Sequence, residues 1–155
     1  MAAFPNAAQT GTPVTQMPEI SAVSAVAVLT NGATLFTAVG DVQILNLFSE
    51  CITANGASAT TLQYSITPTV GSATTISGAS SSLANAVAGT LVSLVGDALA
   101  TAPIVSTTSV GLAQTARGIV FMEGVLTTVV GTGPSTGTWK HYMRYRPLQP
   151  GAYVY

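Results

Sequence analysis

From Ile20 onward the chain alternates short apolar runs with turn-forming residues, the spacing of an all-β fold. Ala22 to Thr30 is a Val-rich run ending in Asn31-Gly32, a dipeptide suited to the two positive φ angles of a type I′ hairpin turn, with Thr34 to Thr37 as the return strand. Asp41 to Thr53 reads as the next strand, followed by the turn-like Ala54-Asn55-Gly56-Ala57-Ser58. In Thr60 to Thr67, Leu62, Tyr64 and Ile66 alternate with polar neighbours, which predicts one buried and one wetter face. Ser80 to Ala88 predicts a short helix, because a Ser cap precedes good helix formers and Gly89 is placed to end it. Gly89 to Val95 and Ile104 to Thr108 read as strands. Arg117 to Val130 reads as one long strand, apolar on both faces, lying centrally or against another subunit. No fixed period of recurring anchors marks a repeat array. The expectation is an all-β domain, a β-sandwich or jelly-roll-like β-barrel with at most one short helix.

Before this pattern begins, residues 1–20 carry Pro5, Pro13 and Pro18 among Gly, Thr, Asn and Gln without periodicity, and predict an extended N-terminal arm. The division expected is an arm over 1–20 and a single β domain over 21–155, a length sufficient for one hydrophobic core. The first residues lack the basic and apolar regions of a secretory signal. The two most apolar stretches, Leu83 to Val95 and Gly118 to Val130, fall short of the roughly 18 residues a membrane helix needs. No membrane association is expected.

Composition changes this picture in one respect. Charged residues make up 6% of the chain, against roughly 25% in an ordinary soluble domain. Because 48% is apolar, the polar remainder is largely Ser, Thr, Asn, Gln and Gly, giving a hydroxyl-rich and weakly charged surface. Such a surface is less costly to desolvate than a charged one and suits a non-enzymatic structural subunit covered by its neighbours. An exported protein with a Ser/Thr surface has the same composition. Disorder requires low hydrophobicity with high net charge, and the formal net charge is only -1. Cys51 is the single cysteine, so no intramolecular disulfide forms; its setting, Phe48 to Ile52, predicts a buried thiol.

The chain is poor in chemistry. A nucleophilic triad would have to combine His141, the only histidine, with a Ser or with Cys51, and no Gly-x-Ser-x-Gly elbow is present. One histidine and one cysteine do not supply a four-ligand zinc site, and no carboxylates fall at calcium-loop spacing. The Gly-rich Gly131 to Gly137 lacks the Lys-Ser/Thr ending of a phosphate loop and predicts a hairpin loop. No catalytic residue, cofactor or metal is expected.

The most informative segment is Thr138 to Leu148. Read with period two, Trp139, His141, Met143 and Tyr145 share one face, and Lys140, Tyr142, Arg144 and Arg146 share the other. The first set predicts core anchors, including a satisfied core histidine. The second gathers three of the four basic residues and supplies the candidate partner interface, either a solvated face or one pairing with a partner's carboxylates. Nucleic acid is disfavoured as a partner, since three charges neutralise few phosphates and the pI is about 5.5.

The same segment opens a closing pattern: Gly137-Thr138-Trp139-Lys140, then Tyr145-Arg146-Pro147-Leu148, then Gly151-Ala152-Tyr153-Val154. With the preceding apolar run Gly118 to Val130, it resembles the ending of small bacteriophage virion proteins, of the head decoration (cement) kind. The resemblance covers residues 113–155, with a looser echo in Ser81 to Val105. It implies a virion component with a β-sandwich or barrel body on the capsid surface, a homo-oligomer with a trimer favoured, partnered by the major capsid protein. A tail or fibre component recognising a host glycan through Trp139, Tyr142 or Tyr153 is the alternative.

Overall fold

The computed structural model describes residues 17–94, 99–107 and 118–155. Two antiparallel sheets face each other as a β-sandwich, and no helix forms among the described residues. The larger sheet runs β1 (Ile20–Val23), β11 (Thr138–Pro147), β4 (Val42–Cys51), β7 (Leu91–Ser93) and β8 (Ile104–Ser106); β2 (Ala27–Val28) also pairs with β11, and β9 (Ile119–Phe121) with β4. The smaller sheet runs β12 (Tyr153–Val154), β3 (Thr34–Val39), β10 (Gly124–Gly131), β5 (Thr61–Pro68) and β6 (Thr74–Thr75).

The longest ladder joins β11 to β4, from Trp139 opposite Cys51 to Pro147 opposite Val42, with a bulge at Arg144/Tyr145. Each strand alternates as a half-buried strand must. Val42, Ile44, Leu47 and Cys51 of β4 and Trp139, Met143 and Tyr145 of β11 point inward, where they meet Phe36, Leu62, Tyr64 and Leu126 of the smaller sheet. Leu62, Tyr64 and Ile66 are buried as their spacing predicts.

Most consecutive strands lie in opposite sheets, and this overturns several local expectations. Asn31-Gly32 does turn the chain, with the Ala33 amide bonded to the Thr30 carbonyl, but it carries the chain from β2 in one sheet to β3 in the other and forms no hairpin. Only Gly32 of the pair has a positive φ (77°), so the turn is not type I′. The Asn31 side chain instead accepts from the Val130 amide at 3.0 Å. Gly131 to Gly137 is likewise a crossing between sheets, from β10 to β11.

The long strand expected over Arg117 to Val130 is divided. Arg117 lies outside the described residues, β9 ends at Phe121 in the larger sheet, and β10 starts at Gly124 in the smaller. Gly124 sits so close to β5 that a Cβ there would lie 2.3 Å from the Thr67 carbonyl oxygen, so the chain needs glycine where it enters its new sheet.

The helix expected over Ser80 to Ala88 is replaced by turns because its amides bond elsewhere. Those of Ser80, Leu83 and Asn85 reach the carbonyls of Leu62, Thr60 and Gly56, and Asn85 takes a positive φ of 55°. Distant acceptors have outcompeted the local helical ones, a tertiary override of propensity. At the other end, β1 begins at Ile20, the last residue of the expected arm; residues 1–16 of that arm lie outside the described residues.

Asn55 fastens this end of the sandwich. Its Oδ1 accepts from Ser135 Oγ (3.0 Å) and from the amides of Thr136 (2.9 Å) and Gly137 (3.0 Å), while its Nδ2 donates to the Leu83 carbonyl (2.9 Å). One side chain thus ties the β10–β11 crossing to the turn after β6. Asn55→Ala leaves buried groups at Gly137 and Leu83 without these bonds, and urea denaturation is expected to register a loss of about 2–3 kcal/mol. A loss below about 0.5 kcal/mol would mean that solvent replaces the clasp.

Candidate functional site

The sandwich gives β11 two unlike faces, and the division follows the period-two reading. Trp139, His141, Met143 and Tyr145 are buried; Lys140, Tyr142, Arg144 and Arg146 lie on the outer face of the larger sheet. On that face the register places Tyr142 between Val23 of β1 and Phe48 of β4, and continues the row through Ser93 to Ile104 of β8. Tyr142 and Phe48 stack with ring centroids 4.7 Å apart. Val23 and Ile104, at the two ends of the row, are 50% and 45% exposed. An apolar band therefore runs from Val23 through Tyr142 to Phe48, with Ile104 set apart beyond the buried Ser93.

Charges flank this band: the two arginines are paired with a carboxylate, and Lys140 lies over an aromatic ring. Arg144 and Arg146 both bond to Glu19, which stands just before β1; the Arg146–Glu19 contact is 3.2 Å and the Arg144–Glu19 contact is the closer one. The hydrogen bond from Arg144 is the main cause holding the Glu19 carboxyl below its ordinary range. On the other flank Lys140 stands opposite Glu50 in the ladder, and its ammonium lies 5.4 Å from the centre of the Tyr142 ring. The Tyr142 hydroxyl donates to Glu50 Oε2 at 2.8 Å. Partial burial raises the Tyr142 hydroxyl above its ordinary range, and the bond to Glu50 adds to the shift.

Three cations thus share the face with two carboxylates, and the stripe seen in sequence becomes a nearly balanced surface with an aromatic centre. In sequence Glu19 falls in the segment expected to be an arm, and Phe48 and Glu50 in the setting of a buried thiol, so none of them points to this face on its own. The alternation Leu47 in, Phe48 out, Ser49 in, Glu50 out is the signal that finds them.

Beneath the face lies a buried polar bridge. Ser49 Oγ of β4 is 2.7 Å from the Tyr64 hydroxyl of the smaller sheet and 2.5 Å from His141 Nδ1 of β11. Burial raises the Tyr64 hydroxyl and lowers His141 to about 4, so the imidazole is neutral near pH 7. A serine against a histidine has the outline of a nucleophile and its base, but Ser49 is fully enclosed and its hydroxyl is shared with Tyr64. The bridge joins the two sheets by hydrogen bonds across the core.

Cys51 is buried as its setting predicted, and burial raises its thiol above the ordinary range. Trp139 is wholly buried, so its ring is withdrawn from any contact with a glycan. Among the described residues no group of three or more His, Cys, Asp or Glu side chains is placed to hold a metal ion.

The burial of His141 makes stability depend on pH. Folded His141 gains its proton only near pH 4, whereas in the unfolded chain it does so near 6.5. Across that interval the unfolded state binds the extra proton, so this stabilisation is complete above pH 6.5 and declines as pH falls toward 4. Between pH 7.5 and 4 the loss is expected to be about 3 kcal/mol in urea denaturation. The variant His141→Gln, compared over the same range, should lack this component; an unchanged slope would place the titration elsewhere.

Comparison with protein-family models, with curated proteins and with solved structures finds no match to this chain, so what the face does must be read from the chain's own residues.

Proposed function

We propose that this protein is a non-enzymatic structural subunit of a virus particle, a decoration or cement protein on a bacteriophage capsid that assembles as a homotrimer and packs on the major capsid protein. The observation that carries the reading is the outer face of the larger sheet. Val23, Tyr142 and Phe48 form an apolar row on it, flanked by Arg144 and Arg146, both paired with Glu19, and by Lys140, which lies over the Tyr142 ring. A partner covering this face buries aromatic surface and arginines that are already paired, and can offer a carboxylate to Lys140, a combination that makes the face favourable to desolvate.

Two further features support the reading. The chain has 6% charged residues, so little of its surface resists burial. Its ending, from Gly137-Thr138-Trp139-Lys140 to Gly151-Ala152-Tyr153-Val154, resembles that of small phage virion proteins. A shell bearing many symmetric copies gains cohesion from modest interfaces, since each stable contact buries roughly 1,200–2,000 Å².

A tail or fibre module that binds a host glycan is the second reading, favoured by Tyr153 and Tyr155. Their rings lie 6.0 Å apart, and they are 49% and 68% exposed at the edge of the smaller sheet, where ring faces are open to stack on a sugar.

The mass of the purified chain in solution tests the first reading. A trimer is expected, and Phe48→Glu, which places a charge in the apolar row, should reduce it to a folded monomer. Electron microscopy of particles carrying the protein should then locate it on the head surface. A native chain that stays monomeric at about 100 µM and is absent from the head would overturn the proposal. Binding to a glycan array that is lost on Tyr153→Ala would favour the second reading instead.

A further inference from the structure

A cavity of about 300 Å³ opens on the flank of the sandwich, between the β1–β2 segment of the larger sheet and β3 and β10 of the smaller. Ala25, Ala27, Leu29 and Leu35 give it an apolar wall, and His141 lines it too. Among the described residues no charged one lines it. We infer that this cavity is a binding site for a small neutral molecule with an apolar body and one hydrogen-bond acceptor, received by the Nε2–H of His141.

The hydrogen-bond network fixes the donor. Ser49 Oγ sits between the Tyr64 hydroxyl and His141 Nδ1, so protons can run along this chain in either direction. If Nδ1 carried the proton, it would donate to Ser49 and Ser49 to Tyr64, leaving the Tyr64 hydroxyl proton fully buried with no acceptor. A buried donor in that state is costly. In the other direction Tyr64 donates to Ser49, Ser49 donates to Nδ1, and every group in the chain is satisfied. The imidazole proton then resides on Nε2.

Nε2 has no hydrogen-bond partner among the described residues and is not one of the fully enclosed polar atoms, so it keeps an opening although His141 as a whole is only 4% exposed. Ser49 and β4 lie to one side of β11 and the β1–β2 segment to the other, so with Nδ1 turned to Ser49 the far edge of the ring is left for the cavity. Of the four hydroxyls on the wall, three donate to backbone carbonyls and Thr34 is the fourth. Ser24 donates to the Ala25 carbonyl, Thr30 to Val28 and Thr128 to Thr30. The fixed Nε2–H suits an acceptor such as a ketone, ester or ether oxygen. A carboxylate finds no cation among the described residues of the wall, and an ammonium finds no carboxylate. The volume stands at the lower end of the range for ligand pockets, which suits a single ring or short branched chain.

This inference is independent of the assembly reading, and its test is read on the full-length chain whatever its oligomeric state. Nuclear magnetic resonance of the ¹⁵N- and ¹³C-labelled protein at pH 7 should show the imidazole in its Nε2–H tautomer. Titration with cyclohexanone should then shift the His141 Nε2–H and the Leu29 and Leu35 methyl signals together and saturably. For so few heavy atoms the dissociation constant should be on the order of 1 mM. Cyclohexylammonium should bind at least about tenfold more weakly. Ala27→Phe and, independently, Ala25→Phe fill the space from exposed positions and should abolish the response with the rest of the spectrum intact. A Nδ1–H tautomer, shifts that never saturate, equal binding of the ammonium probe, or an undiminished response in both filled variants would each overturn the inference.

Discussion

The pairing of β4 with β11 is the constraint from which the rest of the molecule follows. These are the longest strands, and their ladder forms the middle of the larger sheet. Register in such a pair fixes every side chain to a face, because a slip of one residue turns all of them over. With Trp139 opposite Cys51, the inward set of both strands becomes the core and the outward set becomes the aromatic face. A slip of β11 by one position would bury Lys140 and expose Trp139. β1 and β2 attach to β11, β7 and β9 attach to β4, and β8 extends the sheet from β7.

Register also places polar groups where the sheets meet. Ser49 and His141 are opposite each other on the inner face, and Tyr64 reaches them from β5. An apolar core would pack there without this arrangement, and the bridge adds direction to a contact that hydrophobic burial leaves undirected. It specifies which residue of one sheet lies over which residue of the other, a specification that matters more in a chain with few surface charges to steer its folding.

The sequence made the β class legible, and so too the two faces of β11 and the burial of Leu62, Tyr64, Ile66, Cys51, Trp139 and Tyr145, because alternation is a local property that a strand carries wherever it is placed. It hid what depends on which sheet a strand joins. Asn31-Gly32 looks the same whether it closes a hairpin or hands the chain to the opposite layer, and an apolar run such as Gly118 to Val130 does not announce that it divides at Gly124. Ser80 to Ala88 has good helix formers, yet the carbonyls that capture its amides belong to residues Gly56 to Leu62, far along the chain. Of the outer face, the basic stripe was legible and its carboxylates were not, because Glu19 and Glu50 come to it only through strand pairing.

The lone thiol offers a different kind of consequence. Cys51 lies on the central ladder with no exposed surface, and burial keeps it protonated and unreactive. Alkylation must therefore wait for the layers to part, so the rate of labelling counts how often the native structure opens at its middle. With no second cysteine in the sequence to compete, the protein carries a built-in clock for its own breathing, positioned where the two longest strands meet.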